Sequence, residues 1–168
     1  MQEFTAQRRG NDNLVRVYLN DRKDYIVIDT DDPGFLRRFA GFTKWVDEYT
    51  AELEEKGKEA EQKFEGRPMI TEDEEGNQVV DPDQLLALMD IRIAAFQECV
   101  KKIDEIFGAD TCKKFFIESY EANPDFVPDD EAINDFIEAL QPIIEKAYAI
   151  RFERLGKKYS KTRRTGKK

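Results

Sequence analysis

Apolar and polar positions alternate with a period of two over residues 14–28. In LVRVYL, Val15, Val17 and Leu19 alternate with Leu14, Arg16 and Tyr18; the polar turn Asn20-Asp21-Arg22-Lys23 follows, and YIVI at 25–28 resumes the run. This pattern predicts a β-hairpin. A lone hairpin is marginal in water, so it must rest on another element or pair with another chain. From residue 35 the period changes. Phe35, Phe39, Phe42, Val46, Tyr49 and Leu53 recur in steps of four and three, with Arg37, Arg38, Lys44, Asp47 and Glu48 beside them. That is one stripe of an amphipathic helix, opened by the capping carboxylate and first-turn proline of Asp32-Pro33. Beyond Leu53 the stripe thins to Ala60 and Phe64, and Gly57 interrupts it. The second half, AELEEKGKEAEQKF, is therefore expected to project into solvent.

Residues 65–80 read as an acidic loop, with Gly76-Asn77 as a turn dipeptide that makes a small hairpin an alternative. Asp81-Pro82 repeats the cap-and-proline signal. Leu85, Leu86, Leu88, Met89, Ile93, Phe96, Val100, Ile103 and Phe107 then give a broad apolar face, and Gly108 a stop. This is the most hydrophobic stretch and is expected to form the central helix. Asp110 is expected to cap a short helix through Phe115, Phe116 and Ile117, ended by Asn123-Pro124 and Val127-Pro128. A last helix starts at Asp129 or Asp130, with Ile133, Phe136, Ile137, Leu140, Ile144, Ala147 and Leu155 on one side. Pro142 predicts a kink or restart near Leu140–Gln141, and Gly156 an end. The fold class expected is mainly α (α+β): an N-terminal hairpin, then three to four helices in a small bundle. Residues 1–13 are expected to be a flexible N-terminus, 14–155 one helical domain, and 156–168 a disordered basic tail.

Composition narrows the chemistry. The chain has no His, which excludes Ser-His and Cys-His pairs and any His-containing zinc site, and removes the commonest general base. No catalytic residue, metal or cofactor is expected, and the enzyme class is the weakest. Cys99 and Cys112 are too few for a disulfide scaffold, lie in no CxxC, and read as buried thiols of a reducing cytoplasm. No apolar run approaches the roughly 20 residues that span a bilayer, and MQEFTAQRRGNDN lacks the apolar core of a secretory signal.

Charge is distributed unevenly. Residues 156–168 carry seven bases (Lys157, Lys158, Lys161, Arg163, Arg164, Lys167 and Lys168) and no acid, leaving residues 1–155 at −16. So acidic a body repels a phosphate backbone, which argues against nucleic acid as the partner. The tail is a solubilising terminus, a weak nucleic-acid contact, or a segment that recruits an acidic or helical protein partner. Residues 115–145 hold nine acids and no base, which is either a solvated surface or a docking face for a basic partner, this chain's own tail in a neighbouring copy included. Asp29-Thr30-Asp31-Asp32 with Gly34 resembles the start of a calcium loop, but Pro33 and Ala40 fall where ligands are required, so it is read as helix capping. Trp45 and Tyr49 are edge-of-core residues or part of a partner surface. The candidate binding set is Phe35, Phe39, Phe42, Trp45, Val46, Tyr49 and Leu53 with Lys157, Lys158, Lys161, Arg163 and Arg164.

The order of parts carries a likeness. VRVYLNDRKDYIVID leads into DDPGFLRRF, a helix closes with IDEIFGADTCKKFF, and an acidic helix ends in RFERLGKKYSKTRR. Over roughly residues 14–165 this resembles the tail assembly chaperones of long-tailed phages and prophages of Gram-positive bacteria, with IDTDDPGF, IFG and KYSKTRR as its markers. The resemblance implies a helper in the host cytoplasm, absent from the mature virion. Such a helper covers the helical tape measure protein and keeps it soluble until the tail tube polymerises around it. Self-association and contact with the tail tube protein are further expectations. The resemblance also implies a frameshifted longer product, with which Gly166-Lys167-Lys168 is compatible. The alternative is another small helical morphogenesis factor or host adaptor that acts by protein–protein binding.

Overall fold

The computed structural model describes Glu3 and residues 13–165, without the side chains of 159 and 161–165. The protein is 66% helical with two small two-stranded sheets, so it is mainly α with some β. The rest of the expected flexible N-terminus and residues 166–168 lie outside the described residues.

The period-two pattern folds as expected. β1 (Leu14–Tyr18) pairs antiparallel with β2 (Tyr25–Asp29), Val17 opposite Ile26 and Val15 opposite Ile28. Val17, Ile26 and Ile28 face the core, whereas Leu14, Tyr18, Tyr25 and Val27 stay exposed on the other face. The turn is closed by Leu19 N–H on Asp24 O, and the Asn20 side chain accepts from the amides of Arg22 and Asp24. Asn13, expected to be flexible, is instead anchored. Its carbonyl accepts from the Thr30 amide and hydroxyl, and its side chain bonds Asp31 and Arg151.

α1 (Pro33–Lys63) starts where Asp32 accepts from Gly34 N–H at 2.9 Å, and Arg38 pairs with the same carboxylate. β3 (Ile70–Glu72) and β4 (Gln78–Val80) turn the acidic loop into a hairpin. Its turn is built by the Asp73 carboxylate, which accepts from Glu75, Asn77 and the Asn77 side chain, and by Gly76 at φ 81°. α2 (Pro82–Phe107) is capped by Asp81. Buried Gln84 donates to Arg67 O at 3.0 Å, tying the chain before β3 to the helix start.

Two expectations need correction in the next stretch. The single short helix is two, α3 (Thr111–Phe115) and α4 (Ile117–Ala122), so the helices number five. Asp110 does not cap: it sits at φ 62°, its side chain unbonded to the helix start. The carboxylate that does the capping comes from α2, where Asp104 accepts from Cys112 N–H at 3.1 Å. A sequence reading limited to local caps misses this, because the acceptor lies eight residues back.

α5 (Asp130–Thr165) begins with Asp129 accepting from Ala132 N–H. It neither restarts at Pro142 nor ends at Gly156. Long helices tolerate single breakers when tertiary contacts fix the helix on both sides. Upstream lie the buried Ile133, Phe136 and Leu140; downstream lie Ile144 and Tyr148. The Tyr148 hydroxyl donates to Asp32 O at 2.7 Å, with Asp29 O at 3.2 Å, fixing α5 to the corner between β2 and α1.

The core is a set of crossed aromatic rings. Phe107 meets Phe35, Phe39 and Phe136 edge-on at 5.5–5.9 Å, and Phe136 meets Phe115 at 5.1 Å. Edge-to-face contacts of this kind add to the stabilisation from burial alone. The β1–β2 hairpin closes one side of this core through Val17, Ile26 and Ile28.

Candidate binding surface

The structure sorts the candidate residues sharply. Phe35, Phe39 and Phe42 are buried in the core and offer no surface to a partner, which corrects their place in the binding set. Trp45, Val46 and Leu53 are half-buried and packed against that core. Trp45 stacks on Tyr49 at 4.6 Å, and Lys102 lies over the Trp45 ring at 4.7 Å. Lys157 and Lys158 are exposed on the last turns of α5, where Lys157 pairs with Glu153 at 2.9 Å. The side chains of Lys161, Arg163 and Arg164 lie outside the described residues.

α2, by contrast, leaves apolar side chains exposed next to a groove. Ala95, Phe96, Cys99, Ile103 and Phe107 turn one face of the helix inward. Leu86 (62% exposed), Met89 and Ile93 (43% exposed) form a second stripe, at steps of three and four, on the outward side. The stripe runs into an open groove of about 740 Å³ between α2 and the α4–α5 connection. Ile93, Gln97 and Val100 form one wall; Tyr120, Phe126 and Val127 form the other. Tyr120 and Phe126 meet edge-on at 5.2 Å, so that wall is ordered by its own packing. From Leu86 to Val100 the stripe extends about 21 Å along the helix. Its signal was present in the sequence. Leu85, Leu86, Leu88, Met89, Ile93, Phe96 and Val100 occupy too much of the helix circumference for one buried face.

A second groove, about 440 Å³, separates the later turns of α1 from α2 and is lined by Leu53, Gly57, Leu88, Ile91 and Phe96 with Glu54, Lys58, Glu61 and Asp130. Its floor shows that the later part of α1 does not simply project into solvent. It packs on α2, and a β-carbon at Gly57 would sit 3.7 Å from Leu88.

Charge frames the α2 stripe. Residues 68–91 contain seven acids and no base. Across the molecule, Arg22 donates from both terminal guanidinium nitrogens to the Glu121 carboxylate, joining the β1–β2 turn to α4. That pairing holds the Glu121 carboxyl below its usual range. The Arg38 hydrogen bond holds the Asp32 carboxyl low, outweighing the opposing desolvation, and the Gly34 amide adds a smaller push in the same direction. Cys99 and Cys112 are buried as expected, and burial pushes their thiols up to about 11 and about 12. Such thiols stay protonated and are poor nucleophiles.

Among the described residues no three His, Cys, Asp or Glu side chains converge as a metal site, and no helix is long and apolar enough to cross a membrane. No family model, curated protein or solved structure matches the chain.

Proposed function

We propose that this protein is a binding helper that lays an amphipathic helix of a partner along α2. Following the likeness of its sequence to tail assembly chaperones, we take that partner to be the tape measure protein. The observation that carries the reading is the outward stripe of Leu86, Met89 and Ile93 leading into the groove walled by Tyr120, Phe126 and Val127. A helix of four turns matches its length, and its apolar face would find both a flat stripe and a recess, the arrangement used in helix-in-groove recognition. Because the stripe is short and open at both ends, binding is reversible, as a cover that tail tube subunits displace must be. Catalysis plays no part in this reading.

Co-expression tests it. The tape measure protein should stay soluble and co-purify with the wild-type chain, and both effects should be lost with Met89→Asp plus Ile93→Asp, two exposed positions whose change leaves the helical circular dichroism intact. Equal solubilisation by that variant would remove the stripe from the mechanism. A wild-type chain that neither binds nor solubilises the tape measure would return the protein to the wider class of helical adaptors.

A further inference from the structure

We propose that the basic C-terminal stretch of α5 docks on the β3–β4 hairpin and first turn of α2 in a second copy, linking copies head to tail. The inference goes beyond the partner-binding reading and shares only Leu86 with its surface. Its first support is charge complementarity. Residues 68–91 carry seven acids and no base, whereas residues 152–165 carry six bases and only Glu153 as an acid. The second support is that both segments present apolar side chains. On the hairpin, Ile70 (51% exposed) stands opposite Val80, with Val79, Leu85 and Leu86 nearby, all exposed. On α5, Ile150 and Phe152 (57% exposed) are uncovered at the start of the basic stretch. An acidic apolar hairpin and a basic apolar helix are matched in both respects.

The fold keeps the two apart within one copy. Tyr148 stacks on Phe35 at 6.2 Å, and Arg151 pairs with Asp31 at 2.6 Å, so the basic stretch leaves the body at the first turn of α1. The hairpin leads into α2, whose early turns pack against Gly57, near the other end of α1. Between Phe35 and Gly57 the helix covers roughly 33 Å. α5 runs antiparallel to α1, from Asp130 beside Thr50 and Leu53 to Tyr148 beside Phe35. Its basic end therefore points away from its own hairpin. Only another copy can bring the two segments together, and because the two patches differ, each single contact leaves one patch of either kind free for a further copy or for the reciprocal contact of an antiparallel pair.

Sedimentation velocity on the pure full-length chain reads this out. The wild type should form concentration-dependent oligomers at roughly 0.01 M salt and dissociate at roughly 1 M, where the screening length falls from about 30 Å to about 3 Å. Lys157→Glu with Lys158→Glu should weaken assembly at least about tenfold, and so should Glu74→Lys with Glu75→Lys, each with unchanged circular dichroism. Mixing the two variants should restore association, because the unaltered acidic hairpin of the first then meets the unaltered basic helix of the second. A wild type that stays monomeric at every concentration and salt would overturn the proposal, as would variants that assemble like wild type or a mixture that stays dissociated. No tape measure is present in this experiment, so either idea can fail without the other.

Discussion

Replacing Phe39 by Ala separates a core residue from a contact residue. Phe39 is 6% exposed, lies parallel to Phe35 at 6.5 Å and meets Phe107 edge-on at 5.9 Å. Truncation removes a whole ring from the centre of the α1–α2 contact and leaves a cavity that the ring-lined neighbours Phe35 and Phe107 cannot fill without leaving their own contacts. Phe→Ala changes of this kind cost about 3–5 kcal/mol. Domains of this size have roughly 5–15 kcal/mol in total, so the variant should remain folded but lose a large share of its stability. At about 2–4 °C per kcal/mol, its melting temperature should fall by roughly 6–20 °C. Urea unfolding followed by the fluorescence of Trp45, the sole tryptophan, gives the free energy directly. The urea slope should stay unchanged, since the surface exposed on unfolding is nearly the same. Partner binding by the folded fraction should also be unchanged. A loss below about 1 kcal/mol, together with weakened binding, would show that the α1 stripe faces a partner rather than the core and would refute the packing argument.

Other changes should act as follows. Tyr148→Phe removes the donor that holds α5 to Asp32 O, and chemical denaturation should show a loss of about 1 kcal/mol with the fold intact. Pro142→Ala, at an exposed position inside a continuous helix, supplies the amide missing toward Glu138 O and should raise stability by about 1–3 kcal/mol, read as a higher melting temperature. The two thiols should resist a disulfide reagent at pH 8 until the chain unfolds. Their folded pKa values, about 11 and about 12, lie above the ordinary 9.0. Their contribution to stability is therefore complete below pH 9 and falls as pH rises from 9 toward 11–12, because the unfolded chain gives up those protons first. The lowered carboxyls of Asp32 and Glu121 work in the opposite sense. Their contribution is complete above the usual carboxylate range and is lost as pH falls below about 4, which an acid titration of the helical signal would show.

Local rules carried most of the fold. Alternation gave the β1–β2 hairpin and its inward residues, and aspartate-proline pairs placed the starts of α1 and α2 correctly, because each signal is contained within a few residues. What the sequence hid was non-local. Asp104 takes the capping role that Asp110 seemed suited to, since the turn after Gly108 at φ 115° brings Cys112 N–H back to α2. α5 passes Pro142 because its packing on both sides of the proline outweighs local propensity. The candidate surface was misplaced for a related reason. The α1 stripe and the α2 stripe are both apolar, and periodicity alone does not say which one meets the other's core. The structure turns α1's Phe35, Phe39 and Phe42 inward and leaves α2 with a face to spare.

That spare face is what the functional account depends on, and photo-crosslinking tests it most directly. A crosslinking amino acid placed at Ile93, and in a parallel sample at Glu52 on the exposed side of α1, would be activated in cells co-expressing the tape measure protein. The account predicts a tape measure adduct from position 93 and none from position 52. Adducts from 52 with none from 93 would contradict it and move the binding surface off α2.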